Sequence, residues 1–378
     1  MTSTFPPLPR PARLTLDLGA VVANRRTIAA RVGGGVRVAG VVKADAYGVG
    51  QDPVVAALAA DGCRDFFVAH VGEGIAARAQ LERSGAREAR IFVLNGLLAD
   101  TQAAYAHHRL TPVLGSMAEI DDWAAFRAAQ GGDLPAVLHV DTGMNRHGLP
   151  IGEAMALAER PADVAAAGLS LVMSHLACGD ERGHPLTARQ LERFRAVRAV
   201  YPTLPASLAN SAGCHLGAEF AFDLVRPGVA LYGGAVFSGE ATPMRPVVRL
   251  DAAILQVRDV PAGESVGYGA RQTPTRVSRL AVLSVGYADG FHRLASSADG
   301  APGAWGMLDG VRVPFVGRIS MDLSVVDVTD VAGAARGDRV ELIGAGVTLQ
   351  DVATRMGTID YEVLTSLGRR YERTYVGA

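Results

Sequence analysis

Up to about residue 250, short valine-rich apolar runs alternate with alanine-rich stretches whose apolar positions recur at helical spacing. Eight of these runs are predicted as strands, around Val36–Lys43, Asp65–His70, Arg90–Asn95, Thr111–Gly115, Ala136–Asp141, Leu169–His175, Ser207–Asn210 and Asp223–Pro227. Amphipathic segments such as Gly72–Ser84, Met117–Gln130, Ile151–Arg160 and Leu186–Tyr201 lie between them and are predicted as helices. Eight strands, each followed by a helix, predict a (β/α)8 TIM-type barrel. A doubly wound sheet is the alternative, but no G-x-G-x-x-G opens the first crossover helix.

After Arg249 the texture changes. Short alternating segments (Ala252–Val257, Leu280–Val285, Val311–Phe315, Leu323–Asp327, Arg339–Leu342) are separated by Gly, Pro and Asp, which predicts a mostly antiparallel β C-terminal domain. The expected division is residues 1–250 for the barrel and 251–378 for the second domain. The strand-like segment Ala12–Asp17 could pair with either.

Composition narrows the function. Charged residues are 20% of the 378, the formal net charge is -1, and no basic tract interleaves with aromatics, so no nucleic-acid surface is expected. No apolar run approaches the roughly 18 residues of a membrane span. The start, Met1 to Leu14, holds four prolines and no apolar h-region, so no signal peptide is expected. Three scattered cysteines (Cys63, Cys178, Cys214) fit neither a disulfide framework nor a zinc spacing. The expected setting is cytoplasmic, without a metal.

Polar clusters follow the predicted strands. The first strand runs into Lys43-Ala44-Asp45-Ala46-Tyr47-Gly48, the fifth into His139-Val140-Asp141 and on to Arg146, and the sixth into Ser174-His175. The seventh runs into Asn210-Ser211-Ala212-Gly213 and the eighth into Arg226-Pro227-Gly228-Val229. Barrel enzymes assemble their sites at this C-terminal face from several strands. A lysine leaving a buried strand is partly desolvated, which makes its amine nucleophilic enough to form an imine. Asn210 to Gly213 and Gly228-Val229 offer small side chains and free N–H groups where many barrels bind phosphate. Lysine and phosphate together suggest pyridoxal phosphate, whereas a Schiff-base aldolase with a phosphorylated substrate suits the same residues.

The segment Val42-Lys43-Ala44-Asp45-Ala46-Tyr47-Gly48 resembles the cofactor-lysine segment of the alanine racemases, fold-type III pyridoxal-phosphate enzymes. The likeness runs from about Leu16 to Tyr375, through Asp141 to Arg146, Ser174-His175, Ala209 to Gly213 and Val225 to Gly233. It continues in Val266-Gly267-Tyr268-Gly269, Gly286-Tyr287, Gly317 to Asp322 and Tyr361-Glu362. This resemblance implies that Lys43 holds pyridoxal 5'-phosphate and serves as one acid/base, with Tyr268 as the second on the opposite face of alanine. Tyr47, Ser211, Tyr375 and the backbone at Gly228 and Val229 would bind the phosphate, with His175 and Asn210 also lining the cofactor. Arg226 would hydrogen-bond the pyridine nitrogen, and Arg146, Met321, Asp322 and Tyr287 would contact the substrate or its entrance.

In the family the tyrosine and methionine reach in from the second subunit, so a homodimer with shared sites is implied. His175 and Arg226 are the expected cationic neighbours of the tyrosine base. Many family members carry a carbamylated lysine seven residues before the arginine matched by Arg146. Here that position is His139, so activity is expected not to depend on carbon dioxide. A broad-specificity or serine racemase, a fold-type III decarboxylase and a non-catalytic cofactor carrier are the rival readings. The implied reaction supplies D-alanine for peptidoglycan or degrades it.

Overall fold

The computed structural model describes residues 10–377; the start of the proline-rich segment lies outside them. The chain divides into two compact units, one holding the N-terminal segment through Ala20 together with the chain from Pro246 onward, the other Val21–Arg245.

In the Val21–Arg245 unit one parallel path joins Gly40–Val41, Asp65–Val68, Arg90–Val93, Leu110–Leu114, Ala136–Asp141, Leu169–Met173 and Ala206–Ser207. The eighth position, Leu224–Val225, pairs in parallel with Arg37–Val38. It also donates from Asp223 N to Ala206 O (3.0 Å) and from Arg226 N to Ala209 O (2.9 Å), which closes the ring. The first strand is therefore split, with Arg37–Val38 bonded to the last strand and Gly40–Val41 to the second. Helices Gln51–Ala60, Val71–Arg83, Met117–Gln130 and Pro185–Val200 are among the crossovers. The barrel strands are buried on both faces, which is why they read as continuous apolar runs rather than alternating ones.

In the other unit the long strand Val248–Val260 is the organiser. It pairs antiparallel with Ala12–Asp17, Ser278–Leu283 and Arg339–Ile343. Ala12–Asp17 also pairs in parallel with the last strand, Glu372–Val376, with Leu16 opposite Tyr375. Trp305–Leu308, Val311–Pro314 and Ser324–Asp327 complete an otherwise antiparallel sheet. Two short helices, Leu349–Met356 and Asp360–Thr365, follow, the first opened by a reciprocal Thr348–Asp351 cap.

Candidate active site

Lys43 begins a turn of the opposite hand to an ordinary helix. Ala44, Asp45, Ala46 and Tyr47 have φ of 53°, 53°, 52° and 55°, and Gly48 follows at 76°. A left-handed turn costs an L-residue about 1–2 kcal/mol per position, so this one needs outside bonds. Gly48 N and Gly50 N donate back to Ala44 O (2.9 Å) and Asp45 O (2.8 Å). Gln51 N donates to Asp45 Oδ1 (2.7 Å), and Ala44 N donates to Glu73 Oε1 at 2.8 Å from the next crossover. The Tyr47 ring stacks on Tyr232 at 4.8 Å, and Tyr232 donates its hydroxyl to Val41 O (2.8 Å). Burial and then the Arg146 charge pull the Lys43 amine below its usual range, while Glu73 opposes them.

The last two loops form a small anion cradle beside this turn. Ser211 Oγ accepts from Gly228 N (2.9 Å) and Ala230 N (3.2 Å), while Asn210 Oδ1 accepts from Gly213 N (3.0 Å). A side chain at Gly228 would collide with the Tyr47 hydroxyl, so glycine is what lets the eighth loop reach the first. A serine hydroxyl and backbone N–H groups concentrated this way beside the Tyr47 hydroxyl suit a phosphate.

Behind the cradle, Arg226 is buried and its guanidinium donates to Ser207 Oγ, to Ser174 O and, at 3.4 Å, to Leu208 O. Burial pulls it down to about 10, so it stays charged near neutrality. His175 differs from the expected cation. Burial first, then the charges of Arg226, His139, Arg146 and Lys43, hold its pKa well below the usual value, leaving it neutral. His139 is 8% exposed and held to about 3, by burial and then by Arg226, His147 and Arg146. Its Nδ1 has no hydrogen-bond partner among the described residues, and its ring meets His147 edge-on at 5.3 Å. Lys43, Arg146, His175 and Arg226 are thus close enough to act on one another, directly or through a shared neighbour.

The remaining predicted site residues belong to the other unit. Tyr268 is 71% exposed on a turn between Gly267 and Gly269, both at positive φ. That turn lies against Arg318, three residues before Met321. Tyr287 N donates to Ser320 O (3.1 Å) and Ala288 N to Met321 O (3.0 Å), which brings Tyr287, Met321 and Asp322 together. Asp322 pairs with Arg370 at 2.8 Å, and Arg370 also reaches the buried Asp289 at 3.1 Å. Tyr375 sits on the last strand and is 37% exposed.

Several groups that shape the barrel loops escaped the sequence reading. Gln190 accepts from Ala177 N (2.8 Å) and donates to His175 O (2.9 Å) and Thr142 Oγ1 (3.3 Å). Glu73 and Glu119 each stand third in a helix and grip two loops. The Ser116-x-x-Glu119 spacing is a visible capping box, whereas His70 before Glu73 gives no such signal.

The N-terminal domain model of the alanine racemases matches residues 16–236, and the C-terminal domain model matches residues 247–375. An alanine racemase of Methylobacterium sp. (strain 4-46) is 52% identical over 380 residues, covering 100% of both chains. One of Rhizobium meliloti (strain 1021) is 49% identical and covers 97% of each. The crystal structure of alanine racemase from Bartonella henselae, with covalently bound pyridoxal phosphate, aligns with a TM-score of 0.90. Its identity is 40%, and the alignment covers 97% of this chain and 100% of that one.

Proposed function

This chain belongs to the alanine racemase family, and from that premise we propose that it interconverts L- and D-alanine with pyridoxal 5'-phosphate. The observation that carries the reading is the placing of Lys43, on a braced left-handed turn, beside the cradle of Ser211, Gly228–Ala230 and Tyr47. The cradle takes the phosphate, with Tyr375 as a further ligand and Asn210 shaping the loop. When bound, the cofactor would supply an electron sink for the pair left on the α-carbon when its proton is removed. Arg226 donates to the pyridine nitrogen and has no lone pair to accept a proton from it.

Racemisation requires removing a proton from one face and returning one to the other, which two groups do better than one. Lys43 Nζ serves the first face, its proton affinity already lowered by burial. The second is served by the hydroxyl of the partner subunit's Tyr268, since a homodimer with shared sites is part of the proposal. The exposure of Tyr268, Tyr287 and Met321 on the C-terminal unit supports such an interface. His175 is neutral, so Arg226 is the cationic neighbour left to favour the phenolate. Arg146 and the N–H of the partner subunit's Met321 hold the alanine carboxylate, while Tyr287 and the partner subunit's Asp322 line the entrance. All three cysteines are free, which suits a reducing, cytoplasmic setting, and among the described residues no helix is long and apolar enough to cross a membrane.

Incubating the cofactor-loaded protein with L-alanine in deuterated water tests this. Optical rotation should decay while deuterium enters the α-carbon. Carbon dioxide release, or turnover of serine but not alanine, would overturn it. Tyr268→Phe should slow exchange from L-alanine about 100-fold or more while the bound cofactor's visible absorbance persists.

A further inference from the structure

Resting on that function, we propose that Glu73 is a positioning residue for Lys43: its carboxylate holds the left-handed turn against the neighbouring loop and keeps negative charge beside the amine. Glu73 is the third residue of the helix Val71–Arg83. One oxygen, Oε2, makes the ordinary reach back to the helix start, accepting from Ala69 N (2.7 Å) and His70 N (3.3 Å). The other, Oε1, accepts from Ala44 N at 2.8 Å, on the residue directly after Lys43. Two further side-chain braces of the turn, Asp45 to Gln51 N (2.7 Å) and Gln51 Nε2 to Val42 O (3.3 Å), come from the turn's own crossover, while Tyr232 stacks on Tyr47 from beyond the eighth strand. Glu73 therefore ties this strained segment to the second strand.

Charge adds to geometry. The groups acting on the Lys43 amine are Arg146 from the fifth loop, which disfavours its protonated form, and Glu73 from the second, which favours it. His175, from the sixth loop, stays neutral.

A built-in control exists. Glu119, third in the helix Met117–Gln130, makes the same pair of grips, accepting from Gly115 N (2.7 Å) with Oε2 and from Leu97 N (2.8 Å) with Oε1. It braces the third loop to the fourth, where no lysine stands. Glutamine keeps one acceptor oxygen where glutamate has two, so either Glu→Gln change frees one loop. At position 73 it also removes the charge.

Holoenzymes of the parent, Glu73→Gln, Glu73→Asp and Glu119→Gln should be compared. Both glutamine variants should melt at similarly lowered temperatures. Glu73→Gln alone should lose about tenfold in kcat for alanine, a change of about 1.4 kcal/mol, with KM held within about twofold. It alone should speed amide hydrogen exchange across residues 43–50, and it alone should lower the pH midpoint of the cofactor's absorbance change. Glu73→Asp keeps the charge but is one methylene short, so the midpoint should recover while kcat stays depressed. Equal losses in Glu73→Gln and Glu119→Gln would reduce Glu73 to a helix cap and overturn the proposal. So would parental kcat in Glu73→Asp, the variant that decides if Glu73→Gln does not fold. Amide exchange is read without turnover, so it judges the turn even if the parent proved inactive with alanine.

Discussion

At His139 the fold keeps a base uncharged that water would protonate readily. Its pKa is held near 3, against about 6.5 in an unfolded chain, so the unfolded state binds the proton first as pH falls. The stability contributed by the neutral ring is whole above about pH 6.5 and declines by about 1.4 kcal/mol per pH unit below it, until about pH 3. His175 and His215 are shifted the same way, so a difference measurement is needed. His139→Gln should show a shallower fall in melting temperature between pH 7 and 4 than the parent. Parallel curves would rule the buried neutral histidine out. A neutral ring cannot stand in for a carbamate's charge, so bicarbonate should leave the racemisation rate of a degassed sample unchanged. Rescue by bicarbonate would contradict that.

Taken as elements, the barrel loops are braced in pairs. Glu73 joins the first to the second, Glu119 the third to the fourth, Gln190 the fifth to the sixth, and Ser211 the seventh to the eighth. The first and eighth meet where Gly228 passes the Tyr47 hydroxyl. Gly228→Ala should therefore push these loops apart and weaken cofactor binding by about tenfold or more, read by equilibrium dialysis, with only a modest change in melting temperature; unchanged affinity would remove Gly228 from the cradle. The strands themselves were legible, because each is a short, mostly apolar run followed by polar residues or glycine. The left-handed turn was not, since Lys43-Ala44-Asp45-Ala46 contains no glycine and alanine favours the right-handed helix. Bonds such as those from Glu73 and Gln51, distant and local, hold its hand reversed. Glu372–Val376 also escaped, being a short strand whose partner Ala12–Asp17 lies at the far end of the chain, and so did Trp305–Leu308, although its hairpin partner Val311–Pro314 follows at once. The protonation of His175 was misread because neighbouring positive charge and burial are tertiary facts.

For the whole molecule, the proposed shared site makes a quantitative prediction about mixtures. Lys43→Ala and Tyr268→Phe subunits are each inactive alone, yet a mixed dimer should own one site with both groups intact. Random reassembly of equal amounts makes half the dimers mixed, so about a quarter of parental activity should return; no recovery would show that each chain supplies both groups to its own site. The strand Ala12–Asp17 has a consequence of a different kind. It lies between Val248–Val260 and Glu372–Val376, so its two neighbours are among the later parts of the chain to be made. During synthesis the barrel's Val21–Arg245 stretch is complete when only one of those neighbours' first residues is due to emerge. One edge of Ala12–Asp17 can therefore pair soon after the barrel is made, while the other stays unpaired until Glu372–Val376 follows much later. Removing only the final seven residues would leave one edge of that strand open for the life of the protein.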